Sequence, residues 1–185
     1  MESAFSFDGN WEVLDGSRSA DASPRYFFPG NTAAGQDGIL VRVTPEGGGA
    51  PWLGVFAFGR FGQGEFSRVL SLPDPKKLCV VSRGAGYIVA SQDPQNWEAI
   101  KSVPITDVRA VLSAGVVVFA NLTEMVAYGA EGMRWRTKRL AWDGLKILEV
   151  TEHSIRGEYW DLREEATQPF EVDLATGAQK GGVEG

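Results

Sequence analysis

Short apolar runs separated by turn-forming residues are the feature that most limits what this chain can fold into. Runs of four to eight residues, rich in β-branched and aromatic side chains, alternate with clusters of glycine, proline, asparagine and aspartate. Long helical periodicity is missing, and 23 glycines and 9 prolines interrupt the 185 residues. Runs spaced about twelve residues apart are typical of β-sandwiches, barrels and propellers. The sequence therefore predicts an all-β fold, in which only residues 97–101 and 161–166 have the alternative of a short helix.

A weak internal repeat organises the second half of the chain. Residues 86–97 and 124–135 both contain an apolar strand, an acidic turn and a strand with a tryptophan, and Trp97 and Trp135 lie 38 residues apart. Residues 155–182 form a third segment of the same kind. Repeats of about forty residues with several strands each are typical of propeller blades. We therefore expect Trp97 and Trp135 to occupy equivalent positions in successive sheets, each packed against its neighbour.

Residues 172–177 carry the turn sequence Val-Asp-Leu-Ala-Thr-Gly, and residues 125–135 contain a shortened copy that ends at Trp135. These segments resemble the blades of quinoprotein-like β-propellers, in which a strand ending in Ala is combined with an Asp, a Thr-Gly turn and a docking tryptophan. The resemblance covers about residues 78–182. It implies propeller-like antiparallel sheets, with three to four blade-like units in the chain. It does not imply a quinone cofactor.

The length of the chain fits one all-β domain over residues 1–185, with residues 1–70 as a divergent first part and residues 78–182 as the blade-like repeats. A two-sheet β-sandwich with long hairpins is the alternative architecture. An open stack of sheets would leave strand edges unpaired, and proteins normally cover such edges. A homodimer would cover them, so self-association is one partner arrangement that the sequence leaves open.

Charge and cysteine content narrow the class of protein. The 18 basic and 24 acidic residues give a net charge of −6, which disfavours binding to nucleic acid. Cys79 is the only cysteine and lies in an apolar run, so it is expected to be a buried hydrophobic residue. Residues 1–8 lack the pattern of a signal peptide, and no apolar run is long enough to cross a membrane. We expect a cytoplasmic protein without cofactor, bound to neither nucleic acid nor membrane.

Two irregular segments are predicted to form the surface that binds a protein partner. Residues 16–37 read as a long loop and contain an aromatic triplet, and residues 59–64 read as a glycine-rich hairpin. Aromatic side chains and arginine are enriched at binding hot spots, and loops carry function on rigid β scaffolds. The predicted contact residues of these segments are Phe28, Asn31, Arg60 and Phe61. The competing interpretation is that Phe28 closes the end of the core.

A cluster of four cations in residues 134–139 is the second candidate binding feature. Arg134 and Arg136 are expected to contact either an acidic partner or the acidic final third of the same chain. With these residues, the sequence favours a non-enzymatic protein-binding or scaffold module, such as an accessory subunit or an inhibitor- or immunity-type protein.

Catalytic residues are sparse, and the alternative function rests on one carboxylate pair. The only histidine is His153, and one Cys with one His cannot form a structural zinc site, so we expect no metal. Glu158 and Asp161 flank two aromatic residues, and a glycosidase needs an acid, a base and aromatic walls. A small carbohydrate-active hydrolase that uses Glu158 and Asp161 is therefore the alternative.

Overall fold

The computed structural model describes residues 5–15, 22–30, 37–59 and 66–183, and within them the chain is all-β. The strands form four sheets of four strands each, numbered here along the chain. Sheet 1 contains β1 (Gly9–Leu14), β2 (Arg25–Phe28), β3 (Gly38–Pro45) and β4 (Trp52–Ala57). Sheet 2 contains β5 (Arg68–Ser71), β6 (Lys77–Ser82), β7 (Ala85–Ala90) and β8 (Trp97–Ala99). Sheet 3 contains β9 (Asp107–Val111), β10 (Val116–Ala120), β11 (Met125–Gly129) and β12 (Gly132–Arg136). Sheet 4 contains β13 (Lys146–Val150), β14 (Ser154–Asp161), β15 (Ala166–Asp173) and β16 (Gln179–Lys180).

Connectivity separates sheet 1 from the other three. Sheets 2, 3 and 4 are antiparallel meanders, in which each strand pairs with the next along the chain. Their first strands begin at Arg68, Asp107 and Lys146, which are 39 residues apart in both steps. Sheet 1 has the strand order β1-β3-β4-β2, and β2 runs parallel to β4 at its edge. The sequence alternative of a two-sheet sandwich is wrong, because the strands divide into four sheets.

Three clusters of buried apolar side chains hold the sheets together, one between each pair of successive sheets. Side chains of a strand alternate between its two faces, so β6 sends Leu78 and Val80 toward sheet 1, and Cys79 and Val81 toward sheet 3. Each fully buried aliphatic side chain contributes about 1.5–3 kcal/mol through removal from water. The continuous apolar runs of the central strands therefore reflect burial on both faces.

The two ends of this stack differ in their outward faces. On sheet 1, the side turned away from sheet 2 keeps Leu14, Leu53 and Ala57 buried. On sheet 4, the side turned away from sheet 3 is polar and exposed, and Trp160 there is 50% accessible to solvent. The outward side of sheet 4 is called the open face below.

Sheet 4 owes its regular inner face to one glycine. Gly157 lies in the middle of β14, and a Cβ at this position would collide with the Phe170 ring and the Lys146 carbonyl. Phe170 on β15 is opposite Gly157 in the strand register and is buried. The glycine thus makes room for an aromatic ring that packs toward sheet 3.

Several local predictions are corrected by the strands. Residues 16–37 are not one long loop, because β2 (Arg25–Phe28) lies within them. Residues 97–101 begin with β8, and residues 162–165 form the turn between β14 and β15, so neither segment is helical. No helix in the described part of the chain is long and apolar enough to span a membrane.

Tryptophans link neighbouring sheets, but not in the predicted pairing. Trp97 and Trp135 both lie on the fourth strand of their sheets. The prediction is wrong about the faces, because Trp97 packs between sheets 1 and 2, whereas Trp135 packs between sheets 3 and 4. The counterpart of Trp135 is Trp52. The indole N–H of Trp52 donates to the Ser91 carbonyl just after β7 (2.7 Å), and that of Trp135 donates to the Leu174 carbonyl just after β15 (2.8 Å).

Candidate functional site

The predicted aromatic contact residue Phe28 belongs to the core. It is 1% exposed, stacks on Phe56 with ring centroids 4.5 Å apart, and meets the edge of Trp97 at 5.6 Å. The prediction that Phe28 binds a partner is therefore wrong, because β2 turns this side chain between sheets 1 and 2. The other predicted contacts in these segments, Asn31, Arg60 and Phe61, lie outside the described residues.

The predicted cationic residues lie on β12 and are exposed, but they have partners within the chain. The Arg134 guanidinium donates to the Ala114 carbonyl at 3.0 Å. Arg136 forms an ion pair with Glu124 at 3.3 Å and donates to the Lys101 carbonyl. The expected pairing with the acidic final third of the chain is wrong, because the acidic partner of Arg136 lies next to β11 in the same sheet.

The predicted catalytic carboxylates do not converge. Glu158 and Asp161 are three residues apart on the regular strand β14, so their side chains leave opposite faces of sheet 4. Glu158 pairs with Lys146 at 3.2 Å. The Asp161 carboxylate accepts hydrogen bonds from the backbone N–H groups of Arg163 (2.7 Å) and Glu164 (3.3 Å), where it shapes the β14–β15 turn. Both carboxylates have a structural explanation.

Two further groups singled out by the sequence lie in very different surroundings. Cys79 is fully buried between sheets 2 and 3, and desolvation raises the pKa of its thiol far above the ordinary value. His153 is exposed in the turn between β13 and β14. Within the described ranges, no group of three or more His, Cys, Asp or Glu side chains is arranged to hold a metal ion.

The open face of sheet 4 gathers charged side chains in a regular pattern. The strand registers pair Glu149 with Arg156, Arg156 with Glu171, and Glu171 with Lys180. These four residues form one line across all four strands, with charges that alternate in sign from β13 to β16. We call this line the charge row. A β-bulge at Leu148 shifts the register of β13 and brings Glu149, rather than its neighbour, opposite Arg156.

Arg156 is the centre of the charge row. Its guanidinium lies 3.4 Å from the Glu149 carboxylate on one side and 3.3 Å from the Glu171 carboxylate on the other. The side chains of Arg156 and Glu149 are 56% and 58% exposed. Ion pairs that are this exposed add little to fold stability. The row is therefore better explained by what it presents to the surroundings than by what it contributes to the fold.

Two clefts lie on the open face, one on each side of the charge row. The first has a volume of about 620 Å³ and extends to His153, Ser154 and Asp173 at one end of the sheet. The second has a volume of about 550 Å³ and includes the exposed side chain of Leu148. Both clefts are lined by Arg156, Glu171 and Lys180, so these three residues form the ridge that separates them.

Hydrogen bonds hold two carboxylates of this face in the charged form. The hydroxyl of Ser154, followed by the Arg156 guanidinium, lowers the pKa of Glu171 below its ordinary value. The hydroxyl and backbone N–H of Thr176 lower the pKa of Asp173. Asp173 accepts from the Thr176 hydroxyl at 2.6 Å and from its backbone N–H at 2.8 Å. The negative positions of the face are thus fixed near neutral pH.

The Asp173 turn also connects the open face to sheet 3. The turn ends at Gly177, whose φ is +72°, and a Cβ there would lie 2.9 Å from the Trp135 ring. Trp135 is 7% exposed and fills the space beside this glycine. Asp173 and Trp135 therefore fix the end of sheet 4 against sheet 3, and the open face is a rigid surface rather than a loop.

Sequence reasoning singled out Glu158 but missed Arg156, Glu171 and Lys180. Their signal was weak, because the charge row becomes visible only when the registers of three strand pairs are known. Comparison of the chain with protein-family models, with curated proteins and with solved structures gave no match.

Proposed function

We propose that the chain is a non-enzymatic protein-binding module, with propeller-like blades as its scaffold and the open face of sheet 4 as its binding surface. The observation that carries this proposal is the asymmetry of sheet 4. Its inner face is packed against sheet 3, whereas its outer face presents the charge row, two clefts and the exposed Trp160 side chain. Such a role fits an accessory subunit or an inhibitor-type protein.

The composition of the open face supports binding to a protein. Tryptophan and arginine are the residue types most enriched at binding hot spots, and Trp160 and Arg156 lie two pair positions apart on the same side of β14. Leu148 adds a second exposed apolar side chain, 56% accessible, at the second cleft. Apolar side chains rimmed by charges match the usual anatomy of an interface.

The scaffold part of the proposal is supported by the sheet connections. Three four-stranded meanders follow one another, their first strands start at a constant spacing, and tryptophan side chains on sheets 1 and 3 donate hydrogen bonds to the following sheets. These are the features expected of blades that dock in series. A single buried thiol fits the reducing cytoplasm, which we propose as the compartment.

Site-specific photo-cross-linking in cells tests the proposed surface, because it captures a bound protein of any identity. A photoreactive phenylalanine analogue replaces Trp160 on the open face, and in a matched control it replaces Val103, which is 49% exposed between sheets 2 and 3. We expect a discrete protein adduct at position 160 and none at position 103. The absence of an adduct at position 160, or the same adduct at both positions, would contradict the proposal.

A further inference from the structure

The charge row has a symmetry that identifies the kind of partner it fits. From β13 to β16 its charges run negative, positive, negative, positive, at Glu149, Arg156, Glu171 and Lys180. A two-fold axis parallel to the strands, placed between β14 and β15, reverses this order in a second copy. Every negative position then faces a positive one. An alternating row on an even number of strands is therefore complementary to itself.

We propose, on the basis of the binding role assigned above to the open face, that its partner is a second copy of this chain. The two open faces pack against each other around a two-fold axis that runs along the strands between β14 and β15. In this arrangement Arg156 faces Glu171 of the other copy, and Glu149 faces Lys180 of the other copy. A two-fold interface of this kind uses the same patch on both chains and closes without forming a fibre.

The remaining positions of the face agree with this arrangement. Because the axis is parallel to the strands, each row of the face meets the same row of the other copy. Ser154 then faces Asp173, Glu158 faces Pro169, and Trp160 faces Thr167. No like charges meet in these rows. Other placements of the axis, such as one perpendicular to the strands through the charge row, would bring Arg156 opposite Arg156.

The size of the face sets the strength of the expected dimer. Strands β14 and β15 are eight residues long. At about 3.3 Å per residue and about 4.8 Å between strands, four strands cover about 500 Å² on each chain. The two faces together bury about 1,000 Å², which is near the lower limit for a specific interface. We therefore expect a reversible dimer that weakens with salt, because the facing charges are screened.

Charge reversal with reciprocal mixing tests this geometry. The single variants Arg156→Glu and Glu171→Arg each place two like-charge contacts in a homodimer. When the two variants are mixed, all four contacts of the row are attractive again. By sedimentation velocity, we expect the wild type to dimerise with rising concentration, each variant alone to dimerise at least about tenfold more weakly, and the equimolar mixture to recover dimerisation. Arg109→Glu removes an exposed ion pair with Asp107 on sheet 3 and is the matched control that leaves dimerisation unchanged.

A second variant pair covers the case in which a reversal at the centre of the sheet prevents folding. Lys180→Glu and Glu149→Lys reverse the outermost positions of the row, where both side chains are exposed. They should show the same loss alone and the same recovery when mixed. A monomeric wild type, or a mixture no stronger than its components, would overturn the self-pairing. Cross-linking of position 160 to a different protein would overturn it as well but would support the binding role, whereas no cross-link would contradict that role.

Discussion

The substitution Trp135→Ala tests whether sheets 3 and 4 dock as described. The Trp135 ring is 7% exposed within the cluster between these sheets, and its indole N–H donates to the Leu174 carbonyl. Truncation of a buried tryptophan costs about 3–5 kcal/mol of unfolding free energy. Loss of the donor leaves the Leu174 carbonyl unpaired and adds about 1 kcal/mol. We expect a total of about 4–5 kcal/mol, which corresponds to a fall in Tm of about 10–20 °C for a chain of this size.

Urea unfolding followed by circular dichroism measures this loss, and two variants serve as comparisons. Trp135→Phe keeps most of the ring volume but loses the donor, so it should cost about 1–3 kcal/mol. Trp142→Ala removes a tryptophan that is 37% exposed and contacts Arg139 through its ring, so it should cost less than about 1 kcal/mol. If Trp135→Ala costs no more than Trp142→Ala, the reasoning on sheet docking is refuted.

The buried contacts and the carboxylates give three further predictions. Trp52→Phe removes the donor to the Ser91 carbonyl and should lower the unfolding free energy by about 1–3 kcal/mol in the same urea assay; no change would show that the bond is absent in solution. Cys79, buried and with a raised pKa, should react with a thiol reagent only after unfolding, and rapid labelling of the native protein would contradict its placement. The pKa values of Glu171 and Asp173 are lowered in the folded state, so their contribution to stability is present above the ordinary values of 4.5 and 3.8 and is lost as the pH falls through the folded values. Urea unfolding between pH 6 and 2 should show a steeper loss for the wild type than for the double variant with Gln and Asn at these positions, and identical profiles would refute this explanation.

The sequence predicts the strands better than their mutual placement. Alternation and turn chemistry identify most strands because both are local signals. The sheets are offset by 39 residues, and the tryptophan alignment used 38. A shift of one residue moves every side chain to the other face of a strand, which is why Trp97 and Trp135 pack in opposite directions.

Non-local pairing explains the other differences. Strand β2 was missed because it is four residues long and pairs in parallel with β4, more than twenty residues further along the chain. That pairing also buries Phe28, whose aromatic character had indicated a binding surface. The charge row depends on a β-bulge at Leu148, and a bulge of this kind has no clear signature in a single sequence.

Hydroxyl-radical footprinting over a range of protein concentrations tests the central claim that the open face is an interface. Trp160 and Trp142 are both exposed, and Trp135 is buried. At low concentration, oxidation should be strong at Trp160 and Trp142 and weak at Trp135. As the concentration rises, our account predicts that Trp160 alone becomes protected, while Trp142 remains reactive. Equal oxidation of Trp160 at every concentration would contradict the account.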